Sequence, residues 1–339
     1  MRLGVDALNL VADRRGMGRF ARTVLGGLRS APDVEVTLLV RNPAHAELLR
    51  AEFPFEIRTL LELRAARLHC TWYPWNGVRF DARSSKIVTV HDAFAFTHPH
   101  PNLVARCREQ LPIRRALRAA NVLTTVSRWS AREIARIVSV DEARFIIVNP
   151  VPDAFWRPVR PERAGKPYIL VVGGPDQRKN LPFFFRAFER AFPDGDVTLV
   201  VAGTLRAEDE TALRATRVVY ERVRPNDEGL RELYGGALAV AVPSLYEGYG
   251  LMCVEAMACG AAVVAADSAA LPEACDGAAL LVAPIDMQAW SAALRRIAED
   301  DALRTALRRQ SLARSERIDR AAPARVIAAL ARRCSAAVR

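Results

Sequence analysis

Short apolar runs rich in β-branched residues recur along this chain, and segments with helical patterns separate them. The runs are VEVTLLV (34–40), KIVTVHD (86–92), VLTTVS (122–127), FIIVNP (145–150), YILVVGG (168–174), VTLVVAG (197–203), LAVAVPS (238–244) and AAVVAAD (261–267). Strands that are apolar throughout are typical of parallel sheets covered by helices on both faces. The sequence therefore predicts a doubly wound α/β architecture.

A proline-rich segment divides these runs into two groups. Residues 149–167 read NPVPDAFWRPVRPERAGKP, and each X-Pro step in them disfavours helix. The chain has 339 residues and is 51% hydrophobic, which is enough for two buried cores. We therefore predict two Rossmann-like domains, over residues 1–157 and 158–318.

Polar and glycine-rich residues follow several of the predicted strands. Ligands of open parallel sheets bind beyond the carboxyl ends of the strands, so these residues mark the expected site. They are His91 and Asp92 after the second run, Gly173, Gly174, Arg178 and Lys179 after the fifth, and Glu247, Gly248, Tyr249 and Gly250 after the seventh.

The stretch GGPDQRKN (173–180) combines glycines, two adjacent cations and the start of a predicted helix. Glycines let backbone amides approach an anion, and a helix N-terminus adds partial positive charge. Arg178 and Lys179 would neutralise phosphate oxygens, so the stretch suits a diphosphate. The alternative is a solvated cation pair at an ordinary turn. The stretch is neither a Walker A loop nor a GxGxxG fingerprint.

Two glutamates flank the next glycine turn, in YEGYGLMCVEAMACG (246–260). Glu247 lies in the loop, whereas Glu255 lies in an apolar helix predicted to begin at Leu251 or Met252. A buried carboxylate needs partners, and both hydroxyls of a ribose would serve Glu255. With a phosphate at the glycine amides, Glu247 would face a sugar and Glu255 a nucleoside. The alternative is that a core arginine holds Glu255.

These motifs together resemble the retaining family 4 glycosyltransferases of GT-B fold, whose signature is two glutamates separated by seven residues. The resemblance extends over much of the chain. It rests on RRGMGRFARTVLGGL (14–28), TVHD (89–92), TTVSRWSAREI (124–134), VVGGPDQRKN (171–180), LRELYGGALAVAVPS (230–244) and SLYEGYGLMCVEAMACGAAVVAAD (244–267) with LPE (271–273) and GAALLVAP (277–284). It implies two Rossmann-like doubly wound domains facing a cleft, with a C-terminal helix (319–339) joining the first domain.

The family pattern also implies roles for individual residues. Glu255 would bind the ribose, Glu247 the transferred sugar and Lys179 the phosphates. His91 would meet the sugar from the first domain, although a lone histidine after a strand is often structural. The remaining donor-binding residues would be Gly16 and Gly18 in a first-domain loop, Gly174 and Arg178 near the phosphates, and Gly248, Tyr249, Gly250 and Leu251 through the glycine turn.

The sequence departs from the family at several positions. Many relatives have arginine where Gly174 stands, so Arg178 would supply that charge or the phosphates would be held more weakly. Met252 and Ala262 stand where proline is common, and NPVP (149–152) replaces a usual asparagine-glycine turn. None of these changes removes the two glutamates or Lys179, so we expect an intact site.

We therefore expect a retaining hexosyltransferase that uses a GDP- or UDP-linked sugar, with mannose suggested by the resemblance to polysaccharide enzymes. The acceptor would be a saccharide or a lipid-linked hydroxyl, and no metal or further cofactor is expected. The alternatives are another GT-B enzyme, such as an epimerase or hydrolase, and a nonenzymatic binder of nucleotide or acidic polymer. Acceptor, linkage and oligomeric state stay open.

The charge of the chain favours an anionic partner. The formal net charge is +11, nearly all of it carried by arginine. No nucleic-acid-binding motif accompanies it, so we expect no nucleic acid partner. The arginines of RCREQLPIRRALRAA (106–120) predict either a solvated helix face or a face on acidic lipid.

Compartment signals in the sequence are few. The six cysteines show no CxxC pairs, which predicts reduced thiols rather than disulfides or zinc ligands. The first residues lack the apolar core of a signal peptide, and no apolar run is long enough for a membrane span. We expect a cytoplasmic protein, with a peripheral position at the inner face of the membrane as the alternative.

Overall fold

The structure is a computed structural model that describes residues 1–159 and 165–336. The chain divides into two compact units, of which the first comprises Met1–Val151 with Arg320–Arg339 and the second Pro152–Asp319. Part of the proline-rich segment and the last three residues of the predicted C-terminal helix lie outside the described residues.

The first unit is built on a parallel sheet of seven strands in the order β3-β2-β1-β4-β5-β6-β7. The strands are β1 (Arg2–Asp6), β2 (Glu35–Val40), β3 (Glu56–Thr59), β4 (Cys70–Tyr73), β5 (Ser85–Thr89), β6 (Val122–Thr125) and β7 (Phe145–Ile147). The helices are α1 (Gly16–Leu28), α2 (Pro43–Arg50), α3 (Phe94–Thr97), α4 (Leu103–Ala119) and α5 (Arg128–Val138), with 3₁₀ turns at Leu60–Ala66 and Glu142–Arg144.

The second unit has a parallel sheet of six strands in the order β10-β9-β8-β11-β12-β13. The strands are β8 (Tyr168–Val172), β9 (Thr198–Ala202), β10 (Tyr220–Val223), β11 (Ala239–Val242), β12 (Val263–Ala266) and β13 (Leu280–Val282). The helices are α6 (Leu181–Ala191), α7 (Ala207–Arg214), α8 (Asp227–Gly236), α9 (Leu251–Ala258), α10 (Leu271–Cys275), α11 (Met287–Glu299) and α12 (Asp301–Glu316), with a 3₁₀ turn at Gln177–Lys179.

A last helix, α13 (Ala322–Ala336), follows the second unit in the chain but belongs to the first. A Cβ atom on Gly27 would lie 2.5 Å from the Cβ of Ala324, so the glycine lets α13 approach α1 closely. The Arg332 guanidinium also donates to the Asp33 carboxylate, at 2.6 Å. The C-terminal helix that the resemblance placed with the first domain therefore packs on the first unit, where Ile327 and Leu330 are buried in the core.

The parallel registers of both sheets confirm the predicted doubly wound α/β class. In the first unit, a helix over the sheet begins after Ser127, whose Oγ accepts a hydrogen bond from the Ser130 amide at 2.9 Å. In the second, the buried phenylalanines of α6, Phe184, Phe185 and Phe188, cover the sheet and bury the apolar strands. Because both faces of the sheet are buried, polar and apolar residues do not alternate along those strands.

The compact units divide at Val151, whereas the sequence placed the boundary at residue 157. Trp156 accounts for the difference, because it is 3% exposed in the core of the second unit. Its ring centroid lies 5.7 Å from that of Tyr234 on α8. Trp156 and the residues around it therefore belong to the second unit.

Candidate active site

The loop after β8 places two cations beside the loop after β11. The Asp176 carboxylate caps the 3₁₀ turn Gln177–Lys179 by accepting from the Arg178 amide, at 3.0 Å. The Arg178 carbonyl then accepts from the Leu245 amide, at 2.8 Å. These bonds hold the loop that carries Lys179 against the loop that carries Glu247.

Lys179 and Glu247 form the ion pair at the centre of this site. The Lys179 ammonium donates to Glu247 Oε1 at 2.8 Å, and the two side chains are 22% and 21% exposed. The pair is thus partly shielded from water yet open to a ligand. The structure brings together a cation that the sequence assigned to phosphate and a carboxylate that it assigned to sugar.

The ion pair sets the protonation state of Glu247. Burial by itself raises the pKa of the Glu247 carboxyl, but the charge and the hydrogen bond of Lys179, together with smaller effects of Arg178 and Ser244, outweigh it. The net pKa lies below the ordinary glutamate value. Glu247 is therefore a carboxylate at neutral pH, which suits a group that faces developing positive charge.

Arg178 already has a carboxylate partner. Its guanidinium donates to the Asp176 carboxylate at 2.6 Å, and both side chains are 27% exposed. Sequence reasoning passed over Asp176, although its position two residues before Arg178 is that of a turn cap. Asp176 offsets the charge of Arg178 as Glu247 offsets that of Lys179, so both cations of the stretch are paired with a carboxylate.

The glycine turn after β11 delivers the start of α9. Gly250 has φ of 110°, and a Cβ atom there would lie 2.8 Å from Leu271 Cδ2. Only glycine fits such a position without strain. No side chain caps α9 in the described part of the chain. The backbone amides of Leu251 and Met252 are thus presented as anion donors, whereas that of Cys253 donates to the Gly250 carbonyl at 2.9 Å.

Glu255 lies one turn inside α9, where its neighbours in the helix are apolar. The residue is 4% exposed, and the helix around it is almost wholly buried. It lies roughly 6 Å further along the helix axis than Leu251, by the rise of an α-helix. The two glutamates of the signature are therefore held on different elements and lie at different depths of the site.

Two further predicted residues border the turn. Tyr249 is 6% exposed, and burial raises the pKa of its phenol to about 12. A Cβ atom on Gly174 would stand 4.0 Å from Lys179 Cε, an ordinary contact. Gly174 therefore leaves space beside the Lys179 side chain rather than filling it. Gly248 is half-buried between Glu247 and Tyr249.

His91 lies in the first unit, after β5, and its ring is buried. Its Nε2 donates to the Pro74 carbonyl at 2.8 Å, and its backbone amide donates to Asn76 Oδ1. The Phe20 ring packs edge-on against it, with centroids 5.3 Å apart. Burial lowers the pKa of the imidazole below its ordinary value. The ring is therefore neutral at pH 7, and Nδ1 is its acceptor nitrogen.

Gly16 and Gly18 begin α1 in the first unit and differ in their surroundings. A Cβ atom on Gly18 would lie 1.9 Å from the Asp13 carbonyl oxygen, whereas one on Gly16 would meet nothing within 4 Å among the described residues. Arg22 also donates to the Asp13 carbonyl, at 2.7 Å. Gly18 is thus required by the close packing of the loop on the helix.

The described geometry assembles one part of the predicted site. Lys179, Glu247 and the glycine turn meet in the second unit, and Glu255 follows one turn later. His91, Gly16 and Gly18 belong to the first unit, and their part in ligand binding stays a prediction. Sequence reasoning missed Asp176, although its position was that of a turn cap, and it missed Pro74 and Asn76, because partners of a buried histidine carry no signature of their own.

Three comparisons show which known proteins this chain resembles. Residues 166–300 match the family model described as glycosyl transferases group 1. Over 251 residues the chain is 30% identical to the O-antigen chain mannosyltransferase B of Escherichia coli. That alignment covers 68% of this chain and 65% of the relative, which is just under two thirds of its length.

Solved structures share the fold over nearly the whole chain. A sucrose-phosphate synthase of Thermosynechococcus elongatus superposes with a TM-score of 0.72 at 20% identity, covering 99% of this chain and 100% of that one. Anabaena Alr3699/HepE, solved in complex with UDP-glucose, gives 0.72 at 18% identity, covering 97% and 98% of the two chains. The architecture is the GT-B fold.

Proposed function

Residues 166–300 form a group 1 glycosyltransferase domain in a chain of GT-B fold, and from this premise we propose that the protein transfers a hexosyl group. The donor is a nucleoside-diphosphate sugar, and the acceptor is a hydroxyl of a saccharide or of a lipid-linked saccharide. The observation that carries the proposal is the 2.8 Å contact between Lys179 and Glu247 beside the glycine turn.

The chemistry needs opposite charges at the two ends of one bond. When the bond between the anomeric carbon and the phosphate oxygen breaks, the sugar gains positive charge and the diphosphate gains negative charge. Glu247 stabilises the first, and Lys179 with the amides from Gly248 to Leu251 stabilises the second. A carboxylate and an ammonium that lie side by side suit this task, because a bond placed beside them would have its sugar end next to Glu247 and its phosphate end next to Lys179.

Glu255 holds the nucleoside in this proposal. Glu255 is 4% exposed and lies roughly 6 Å further along the helix axis than Leu251, and the proposal places the ribose across that span. Both carboxylate oxygens accept, so the two ribose hydroxyls are its proposed partners. Hydroxyl donors satisfy a buried carboxylate without adding a charge. GDP and UDP are the two proposed leaving groups.

Three finer features complete the proposal. The transferred sugar is mannose, supported by the 30% identity to an O-antigen mannosyltransferase. The anomeric configuration is retained through attack on the face that the diphosphate leaves, with a phosphate oxygen accepting the acceptor proton. The cations and amides take the place that a metal ion has in other transferases.

A donor and acceptor screen tests this function. GDP-mannose, UDP-glucose, GDP and UDP would first be compared by thermal stabilisation, because a ligand at 100 times its Kd adds about 2.7 kcal/mol. The preferred sugar nucleotide would then be incubated with and without octyl mannoside. We expect an acceptor-dependent glycoside of retained configuration. Free sugar formed equally without acceptor would indicate a hydrolase, and no turnover with any donor would contradict the proposal.

A further inference from the structure

The N-terminal half of α4 presents apolar side chains to solvent. Leu103 is 68% exposed, Val104 is 69% exposed and Leu111 is 46% exposed. Cys107, one turn after Leu103, is exposed as well. Their spacing along the helix aligns them, and we call these four residues the apolar edge. Contiguous exposed apolar side chains mark an interaction surface more often than a chance feature.

The rest of α4 explains why this edge does not serve the core. Ile113, Ala116 and Leu117, in the C-terminal half, are at most 6% exposed and pack in the cluster that contains Val88. Because the buried residues fix the rotation of α4 about its axis, the apolar edge faces solvent. It borders a shallow groove of about 430 Å³, which Pro112 also lines.

Arginines stand beside the apolar edge. Arg108 and Arg115 line the same groove. Arg118 is exposed further along the helix, and we call these three residues the basic flank. The helix carries five arginines against one glutamate. Such a surface joins strong positive charge to apolar side chains on one helix.

We propose that this face of α4 binds the surface of an acidic phospholipid bilayer. The apolar edge lies at the boundary of headgroups and acyl chains, and the basic flank contacts lipid phosphates, as in interfacial amphipathic helices. The arginines alone predicted acidic lipid as one of two alternatives, and the exposed Leu103, Val104 and Leu111 add the insertion surface. The inference rests on this surface and not on the proposed activity.

Charge and composition favour lipid over other occupants. Two copies meeting through α4 would bring like charges together, which costs free energy. Nucleic acid would match the arginines but would leave the leucines without a partner, because single-strand binding relies on aromatic stacking. An anionic bilayer satisfies both halves of the surface.

Vesicle co-sedimentation of the full chain tests the proposal. Phosphatidylcholine vesicles with and without phosphatidylglycerol would be compared at low and high salt. We expect salt-sensitive binding to the acidic vesicles. Arg108→Gln with Arg115→Gln lowers the partition coefficient by about thirtyfold, from about 1 kcal/mol per arginine. Leu103→Gln with Leu111→Gln lowers it by roughly tenfold or more and keeps the salt dependence.

Matched variants elsewhere control for net charge and exposed apolar area. Arg186→Gln with Arg190→Gln removes two exposed arginines from α6. Leu61→Gln and Ile285→Gln change side chains that are 96% and 74% exposed. We expect these variants to bind like the parent. All changed residues are at the surface, so melting temperatures should agree.

Cys107 gives a direct readout of insertion. Of the six cysteines, five are buried and Cys107 is exposed, so a maleimide fluorophore sensitive to polarity labels this position. We expect its emission to shift to the blue with acidic vesicles and to stay unchanged with neutral ones.

Three results would overturn the proposal. One is equal binding to neutral and acidic vesicles. Another is an apolar-edge variant that binds acidic vesicles as well as the parent. The third is self-association in the absence of lipid that Leu103→Gln with Leu111→Gln abolishes, because it would make the surface a contact between two copies.

Discussion

Lys179 Nζ lies 2.8 Å from Glu247 Oε1, although 68 residues separate them in the chain. The contact joins the loop after β8 to the loop after β11, neighbouring strands of one parallel sheet. A sugar diphosphate that reached both groups would have its scissile bond beside them. In the proposed function, phosphate binding and sugar binding therefore meet at one ion pair.

Lys179→Ala should weaken donor binding and change the pH dependence of turnover. Without the ammonium, the two largest effects that lower the pKa of the Glu247 carboxyl, the charge and the hydrogen bond of Lys179, are lost, so this pKa rises from its lowered value. The acid limb of the rate profile should move to higher pH, and the KM for donor should rise more than the KM for acceptor. Steady-state kinetics across pH measure both effects.

Lys166→Ala is the control for that variant, because Lys166 is exposed and lies outside the site. It should leave both quantities unchanged. An unaltered donor KM in Lys179→Ala would move the phosphate contact elsewhere, and Arg178 would be the next residue to change.

Asp6→Asn should change how stability depends on pH. Asp6 is fully buried at the end of β1, its Oδ2 has no partner among the described residues, and burial raises its pKa to about 6. The folded state therefore holds a proton between about pH 4 and about pH 6 that the unfolded state has lost, so wild-type stability falls as pH rises through that window. The predicted loss is about 3 kcal/mol.

The Asn variant should not show this loss. Its free energy of unfolding should therefore increase relative to that of the wild type as pH rises from about 4 to about 6. Asp33→Asn is the control, because the Arg332 hydrogen bond lowers the pKa of Asp33 to about 2. The stability that Asp33 contributes is therefore lost only below about pH 4, outside the window that tests Asp6. Denaturant unfolding at several pH values measures the difference. A constant difference between Asp6→Asn and wild type would refute the prediction.

Gly18→Ala and Gly16→Ala should separate structure from function in the loop before α1. The Cβ atom that Gly18→Ala adds would lie 1.9 Å from a backbone carbonyl oxygen, so we expect destabilisation of about 1–3 kcal/mol. Gly16→Ala has open space and should stay within about 0.5 kcal/mol of wild type. Thermal unfolding compares them, and a Gly18→Ala variant as stable as Gly16→Ala would be the adverse result.

Turnover should survive excess EDTA. The proposed diphosphate partners are Lys179 and the amides of the glycine turn, which need no metal ion to act. Initial rates would be measured with EDTA and after addition of Mg²⁺ or Mn²⁺. Loss of activity with EDTA, restored by either ion, would show that a metal shares the phosphate charge.

The sequence predicted eight of the strands, because each of these contains an apolar run. Five strands gave no such signal: β1, β3, β4, β10 and β13. β3, β10 and β13 lie at sheet edges, where exposure permits polar residues such as those of YERV in β10. β1 contains Gly4, where a Cβ atom would lie 2.5 Å from Leu68 Cδ1. Gly4 is thus required by its close contact with Leu68, which the sequence alone does not reveal.

The candidate site was predictable where a motif fixes local geometry. The glycine turn and the helix starting at Leu251 are confirmed, because Gly250 adopts a conformation that favours glycine. The contact between Lys179 and Glu247 depends on which strands are neighbours, and no local pattern reveals that order. The pairing of Arg178 with Asp176 was missed, because the motif was interpreted only through the charges that a ligand would need.

Separate substitution of the two signature glutamates tests the account most directly. Dissociation constants for GDP and UDP, and turnover with the preferred donor, would be measured for Glu247→Gln and Glu255→Gln after melting temperatures show that both are folded. Glu255→Gln should bind nucleotide roughly tenfold or more weakly, because charge-assisted hydrogen bonds to the ribose contribute about 1.5–3 kcal/mol. Glu247→Gln should bind nucleotide as well as wild type or slightly better, since Lys179 loses its carboxylate partner, while turnover falls. A reversed pattern would invert the proposed orientation of the donor, and normal binding and turnover in both variants would contradict the assignment of this site to glycosyl transfer.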